Sequence, residues 1–109
     1  MRKERIILQD ILDAISDIKS FTAKTSAEKF INDGQKSAAV MMKLAVIGEA
    51  AKLITPETKA KMQDIPWGKM AGMRDKLIHA YFSVDKGLVY KTATETITQV
   101  EKEIKKYLK

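Results

Sequence analysis

Apolar side chains recur every three or four residues along most of this chain, which places them on one face of an α-helix. The first such stripe contains Ile7, Ile11, Ala14, Ile15 and Ile18, widened by Leu8 and Leu12. Only five glycines and two prolines interrupt 109 residues, which argues against a β-sandwich with many turns. The sequence therefore predicts an all-α fold, an up-and-down bundle of four to five helices that forms a single domain over residues 1–109.

Start and stop signals divide the first half of the chain into three helices. The first is expected over residues 4–21. Thr25-Ser26-Ala27-Glu28 has the spacing of a capping box and starts a short second helix, which Asn32-Asp33-Gly34 ends. A long third helix is expected over residues 35–53.

Two prolines and one break in the apolar pattern divide the second half. Pro56 starts a turn or short helix and Pro66 starts the next helix, because proline is tolerated at a first helical position. Residues 82–85 break the pattern before a last helix that reaches about Leu108. The side chains expected on buried faces are Ala39, Met42, Val46, Ala50 and Leu53 on the third helix, Trp67, Met70, Met73 and Leu77 on the helix after Pro66, and Val89, Ala93, Thr96, Ile97, Val100 and Ile104 on the last.

Composition restricts the classes of function. Lysine and arginine outnumber acidic residues by 20 to 14, and the net charge of +6 suits an anionic partner such as RNA, a nucleotide or an acidic protein. Much of the excess lies at the two ends, where solvated helix termini explain it equally well. The absence of cysteine excludes disulfides, cysteine zinc sites and thiol catalysis. No apolar run is long enough for a membrane span and the start lacks a signal-peptide pattern, so we expect a cytoplasmic location.

One short segment, Arg74-Asp75-Lys76-Leu77-Ile78-His79-Ala80-Tyr81, combines residues suited to phosphodiester chemistry without a metal. His79 is the only histidine, so acid–base catalysis by imidazole depends on it. Arg74 stays charged and offers a planar fork of donors matched to phosphate oxygens. A lone histidine near a helix end is also commonly structural. The residue types alone leave both interpretations open.

The spacing of this segment creates a geometric problem. On an ideal helix Arg74 and Tyr81 point nearly the same way, whereas His79 lies about 140° away from Arg74. Either the helix loosens near His79, or a second subunit of a symmetric dimer completes the site.

Small residues on the third helix, Ala38, Ala45 and Gly48, allow a neighbouring helix to approach closely. Glu49 lies among them, and its carboxylate is costly to bury without a partner. Arg74 is one candidate partner, and full solvation of Glu49 is the other possibility.

Several segments, in matching order over nearly the whole chain, resemble the HepT-like branch of the HEPN superfamily. They are Asp10-Ile11-Leu12-Asp13-Ala14-Ile15, Ile47-Gly48-Glu49-Ala50-Ala51, Ile65-Pro66-Trp67, Gly72-Met73-Arg74-Asp75 and the sequence from His79 to Phe82. The resemblance implies a HEPN-like helical bundle that forms a homodimer and builds its catalytic cleft from two protomers.

The resemblance also implies an activity. The implied protein is the toxin of a type VII toxin–antitoxin system. Its implied activity is that of a metal-independent endoribonuclease, in which an RNA 2′-hydroxyl attacks the neighbouring phosphate. His79 is then the general base or acid and Arg74 binds the phosphate, with Asp75, Tyr81 and Glu49 in support. Tyr81 matches the tyrosine that an MntA-like nucleotidyltransferase antitoxin modifies with adenylate. The implied partners are RNA, that antitoxin and a second copy of the chain.

A second interpretation is a non-catalytic HEPN module in which the motif serves nucleotide binding or dimerisation beside a nucleotidyltransferase. No cofactor and no metal site are expected under either interpretation. Asp10, Asp13 and Asp17 fall at helical spacing and fit a solvated or interhelical face better than a metal site.

Overall fold

Most residues of the computed structural model are helical. The structure describes residues 2–109; Met1, part of the single-domain prediction, lies outside the described residues. The elements in chain order are α1 (Arg2–Thr22), α2 (Ala27–Asn32), α3 (Gly34–Lys52), α4 (Pro56–Ala60), α5 (Trp67–His79), a 3₁₀ turn (Tyr81–Ser83), α6 (Lys86–Lys91), a π-helical segment (Thr92–Thr96) and α7 (Ile97–Leu108). The last three form one continuous helix. No strand occurs in this part of the chain. The all-α, HEPN-like bundle predicted from sequence is confirmed, although residues 2–109 contain six helices where four to five were predicted.

The helix starts depend on short polar side chains that accept hydrogen bonds from free backbone N–H groups. Thr55 caps α4, and Asp85 caps α6 by accepting from the N–H of Gly87 at 2.9 Å. At α2 the predicted cap is wrong by one residue, because Ser26 rather than Thr25 accepts from the N–H of Lys29. Asp33, expected to be part of a stop signal only, both ends α2 and caps α3.

The core lies between α1, α3, α5 and the last helix. Most members of the α1 stripe are buried, while Ile7 and Leu12 are half-buried at its edges. On the last helix every predicted core residue is buried except Thr96, which is half-buried. On α5 Met70 and Leu77 are buried, with Trp67 and Met73 partly covered.

The buried face of α3 differs from the prediction. Of the five residues expected in the core only Ala50 is buried; Met42 and Leu53 are 65% and 59% exposed. The residues that actually face the core are Ser37, Val40, Met41, Leu44, Ala45, Ile47, Gly48, Ala50 and Ala51. Because α3 carries apolar side chains on nearly all sides, its apolar periodicity is compatible with two different buried faces. The prediction selected the face that is exposed in the structure.

Helices α3 and α5 approach each other closely at Gly48, as the sequence indicated. A Cβ added there would lie 2.3 Å from the Cβ of Arg74 and 2.6 Å from the carbonyl oxygen of Met70. No side chain fits in that space, so glycine allows the backbone of α5 to lie directly against α3. This contact fixes the segment of α5 that carries the Arg-x4-His-x-Tyr motif.

A buried carboxylate joins the beginning of α1 to the beginning of α4. Glu4 accepts hydrogen bonds from the N–H of Thr55 at 2.6 Å and from the hydroxyl of Thr58 at 2.7 Å. These two bonds, the backbone one first, hold the pKa of Glu4 below its ordinary value near 4.5.

Glu4→Gln is expected to lower the melting temperature at neutral pH, because the amide lacks the charge that strengthens both hydrogen bonds. A carboxyl group whose pKa is lower in the folded than in the unfolded protein stabilises the folded state above its ordinary pKa. This stabilisation is lost as the pH falls through the pKa of the folded state. The difference from the wild type should therefore shrink as pH falls below about 4.5. Thermal unfolding of both proteins between about pH 3 and 7, the range in which carboxylates titrate, measures the difference in melting temperature. The exposed Glu95→Gln is the control. A constant difference over that range would contradict the assignment.

Candidate active site

An ionic cluster joins the outer edges of α3 and α5 next to Gly48. The guanidinium Nε of Arg74 lies 3.1 Å from Glu49 Oε1, and its Nη1 lies 3.1 Å from Asp75 Oδ1. The same Asp75 oxygen accepts a hydrogen bond of 2.6 Å from Lys52 Nζ. The cluster contains two positive and two negative groups. It orients the Arg74 side chain through both of its neighbouring carboxylates.

Glu49 is therefore neither fully solvated nor buried. Its side chain pairs with Arg74 and is still 55% exposed. Of the two possibilities that the sequence left open, the ion pair is the one that the structure shows.

Asp75 is held in its ionised form. The hydrogen bond from Lys52, and after it the one from Arg74, lowers the pKa of Asp75 below its ordinary range. Lys52 was not among the residues singled out from sequence. Its position three residues after Glu49, on the same side of α3, is the signal that could have identified it.

Arg74 retains donors for a ligand. A guanidinium has five N–H groups, and the two carboxylates engage the Nε and one Nη1 donor. The two N–H donors of Nη2 and the second N–H donor of Nη1 remain available to a ligand. They form a fork suited to two oxygens of one phosphate. With its side chain 25% exposed, Arg74 is partly shielded from water, which strengthens its interaction with an anion.

His79 is the last residue of α5 and is exposed. Its imidazole forms no hydrogen bond to any side chain or backbone group of residues 2–109, so both ring nitrogens are available to a ligand. The helix stays regular up to this point, since the N–H of Ala80 still bonds to the carbonyl of Lys76 at 2.8 Å. The loosening of the helix considered above is therefore absent. Arg74 and His79 of one chain point away from each other, about 140° apart on a regular helix.

The helical direction assigned to Tyr81 is wrong. The chain leaves the helix at Ala80, with φ −140° and ψ 42°, and Tyr81 begins a 3₁₀ turn. The seven-residue spacing from Arg74 therefore does not determine where the ring points. The Tyr81 ring is 44% exposed and packs edge-on against Phe82 at 5.5 Å between centroids. Its hydroxyl makes no hydrogen bond within the described part of the chain.

Exposed apolar side chains lie on the same side of the molecule as the ionic cluster. Three exposed residues, Met42, Val46 and Leu53, are here called the outer stripe. Met42 and Val46 lie within about 60° of Glu49 on an ideal helix, and Leu53 directly follows the end of α3. Ile78 is 54% exposed on α5, about 40° from the direction of Arg74. Sequence reasoning assigned the outer stripe to the core and so missed this surface.

Two of the three aspartates singled out on α1, Asp13 and Asp17, have ordinary structural partners, whereas Asp10 has none among residues 2–109. Asp17 pairs with Lys43 of α3 at 2.9 Å, and Asp13 accepts a hydrogen bond from Gln9. Over residues 2–109 no three His, Asp or Glu side chains are grouped closely enough to hold a metal ion.

Comparisons with known proteins agree with this description. A family model described as ribonuclease HepT-like matches residues 11–107. A protein of Thermococcus cleftensis named "Probable ribonuclease HepT" is 42% identical over 108 residues, 99% of this chain and 98% of that protein. "Putative RNase MJ1216" of Methanocaldococcus jannaschii is 44% identical, covering 99% of this chain and 89% of its own length. No solved structure matches the chain.

The similarity extends over nearly the full length of both relatives and includes the segment that carries the ionic cluster and His79. The chain belongs to the ribonuclease HepT-like family. Among its described helices none combines the length and the apolar character needed to cross a membrane.

Proposed function

We propose that this protein is a metal-independent endoribonuclease of the cytoplasm, the toxin of a type VII toxin–antitoxin system. The observation that carries the proposal is the Arg74 guanidinium, oriented by two carboxylates with a fork of donors still available, on the helix that ends in an exposed His79. Relatives over nearly the same length are named as ribonucleases, which supports RNA as the substrate.

The chemistry needs a proton acceptor, a proton donor and an anion-binding group. The RNA 2′-oxygen forms a bond to the adjacent phosphorus while the bond from phosphorus to the 5′-oxygen breaks. The 2′-hydroxyl loses its proton and the departing 5′-oxygen gains one, and His79 carries out one of these transfers. Arg74 binds the non-bridging oxygens and stabilises the charge that develops on them. The products are a 2′,3′-cyclic phosphate and a 5′-hydroxyl.

The divergence of Arg74 and His79 favours a site shared between two protomers. A symmetric dimer brings the same surface of each chain together, so Arg74 of one chain can approach a phosphate from one side and the partner's His79 from the other. The outer stripe and Ile78 supply the apolar surface that such an interface would bury. Grouped exposed apolar side chains are typical of interaction surfaces.

Cleavage of RNA in excess chelator tests the proposed activity. We expect the purified protein to cut single-stranded RNA with EDTA present and to leave 2′,3′-cyclic phosphate ends, detected by mass spectrometry of the fragments. Cleavage that stops with chelator and returns with a metal ion would contradict the mechanism. A folded protein that binds nucleotide and cuts no RNA would support the non-catalytic HEPN module instead.

Tyr81 is proposed as the residue that an MntA-like nucleotidyltransferase antitoxin modifies. Its exposed ring and its hydroxyl, which has no hydrogen bond to the described residues, suit transfer of an adenylate group. Each adenylate adds a phosphate two residues from His79, and that negative charge repels the RNA backbone.

Tyr81→Phe is expected to keep RNA cleavage and to escape neutralisation by the antitoxin, because the ring remains and the acceptor oxygen is removed. Tyr90→Phe is the matched control, since the Tyr90 hydroxyl is engaged by the carbonyl of Thr25. Intact-mass spectrometry after incubation with antitoxin and ATP measures the added groups. Adenylate on Tyr81→Phe, or neutralisation of the wild type without any mass change, would exclude this role.

A further inference from the structure

A cavity of about 460 Å³ lies between α3, α5 and the last helix. Its wall contains six apolar side chains contributed by α3, α5, α6 and α7: Leu44, Ile47, Met70, Met73, Leu88 and Ile97. Pockets of about 300–1,000 Å³ lined mainly by apolar groups are typical of small-molecule sites. The dimensions fit a ligand with the volume of a medium-length acyl chain or a fused aromatic ring.

Three lysines surround this apolar wall. Lys69 and Lys76 come from α5 and Lys91 from α6. All three are exposed, and none forms an ion pair with a carboxylate of residues 2–109. The pocket therefore combines an apolar interior with a positive rim, a distribution of charge that favours an anionic ligand.

The π-helical segment forms one wall of the cavity. Thr92 and Thr96 at its two ends line the pocket. The Thr92 hydroxyl donates to the carbonyl of Leu88, whereas the Thr96 hydroxyl makes no hydrogen bond in the described part of the chain and can bind a ligand. Single π turns cost stability relative to a regular helix and occur frequently at functional sites.

Gly72 leaves the side of the pocket open. It lines the cavity from α5, and a Cβ added there would meet no atom within 4 Å. On an ideal helix Gly72 and Lys76 each lie about 160° from Arg74. Gly72 and Lys76 thus reach the pocket from the side of α5 opposite Arg74.

We propose that this pocket binds a small amphipathic anion, with its apolar body against the methionines and aliphatic side chains and its carboxylate, sulfonate or phosphate group beside the three lysines. Binding stabilises the folded state in proportion to ligand concentration. It acts on α5, the helix that carries Arg74 and His79. The site does not depend on RNA cleavage, so the two proposals can fail separately.

Two probes test the class of ligand in the intact protein. Decanoate represents an acyl anion and 8-anilino-1-naphthalenesulfonate an aromatic one; decanol has the same chain as decanoate without the charge. We expect saturable binding of at least one anion with one site per chain, by calorimetry or fluorescence. Decanol should bind at least about tenfold more weakly than decanoate. Equal affinity for decanol and decanoate, or no saturable binding of either anion, would overturn the proposal.

Two glycine substitutions in the same helix localise the site. Gly72→Leu should fill the cavity and weaken binding by about tenfold or more. Gly68→Leu is the matched control, because Gly68 is also on α5 with no atom within 4 Å of an added Cβ and lies outside the cavity. Both substitutions should leave the helical circular dichroism at least as strong as in the wild type, since leucine favours helix over glycine. Equal affinity of the two variants would place the probe elsewhere.

Replacing the three lysines around the pocket tests whether their positive charge binds the anionic group of the ligand. The triple variant Lys69→Gln, Lys76→Gln and Lys91→Gln should bind decanoate about tenfold more weakly and decanol with unchanged affinity. If decanoate affinity is unchanged, the lysines do not bind the head group. If sedimentation shows that the variant Gly72→Leu dissociates a wild-type dimer, the cavity is an interface between copies and the small-molecule proposal is wrong.

Discussion

Alanine at either Arg74 or His79 is expected to reduce RNA cleavage at least about a hundredfold, because each supplies a separate part of the chemistry. Without Arg74 the ionic cluster loses its guanidinium fork, and without His79 the chain has no imidazole. His79 forms no hydrogen bond within the described chain, so its loss should not affect folding.

The measurement is single-turnover cleavage of a labelled RNA, with circular dichroism and sedimentation of each variant. Lys61→Ala is the control for removal of an exposed positive charge, since Lys61 lies at the end of α4 and makes no ion pair in the described part of the chain. Near-normal cleavage by folded His79→Ala protein would exclude His79 from catalysis.

Mixed dimers separate a shared site from one contained in a single chain. A dimer of Arg74→Ala with His79→Ala keeps one arginine and one histidine on different chains. A dimer of wild type with the double variant keeps the same two groups on one chain. Because the two side chains diverge on a regular α5, we expect the first dimer to be more active than the second. The opposite order would show that one protomer contains the complete site.

The amphipathic helices were predictable from sequence and the face of α3 was not. On α1 and on the last helix, apolar residues occupy one side, so periodicity alone identifies the buried face. On α3 both Leu44 and Met42 belong to apolar rows, and only the positions of the other helices decide which row is covered. Sequence periodicity cannot distinguish a row buried in the core from one that is left exposed.

At the candidate site, the divergence of Arg74 and His79 follows from their spacing on a regular α5, whereas the direction of Tyr81 was not predictable. The motif identified Arg74 and His79, and the small Gly48 indicated a close helix contact. The direction of Tyr81 depends on where α5 ends. Because α5 ends at His79, two residues before Tyr81, helix geometry does not predict where the Tyr81 ring points. The π-helical segment and the cavity beside it have no simple sequence signal, since the cavity depends on how α3, α5 and the last helix are arranged.

Gly48→Ala is expected to destabilise the protein, against the intrinsic preference of alanine for helices. Alanine is favoured over glycine by up to about 1 kcal/mol within a helix. The new Cβ, however, would lie 2.3 Å from the Cβ of Arg74 and 2.6 Å from a backbone oxygen of α5. Neither neighbour is the end of a flexible side chain, so the two helices must separate. Overpacking of this kind typically costs about 1–3 kcal/mol.

Gly72→Ala is the matched control for Gly48→Ala, because Gly72 is also helical and its added Cβ would meet no atom within 4 Å. Urea unfolding should therefore show opposite signs, a loss of stability for Gly48→Ala and a gain of up to about 1 kcal/mol for Gly72→Ala. Equal gains would mean that α3 and α5 do not lie as close as the structure shows. Because the atom nearest the new methyl group is the Cβ of Arg74, separating the helices also moves the guanidinium away from Glu49. RNA cleavage by the fully folded fraction of Gly48→Ala should then fall, while that of Gly72→Ala should not.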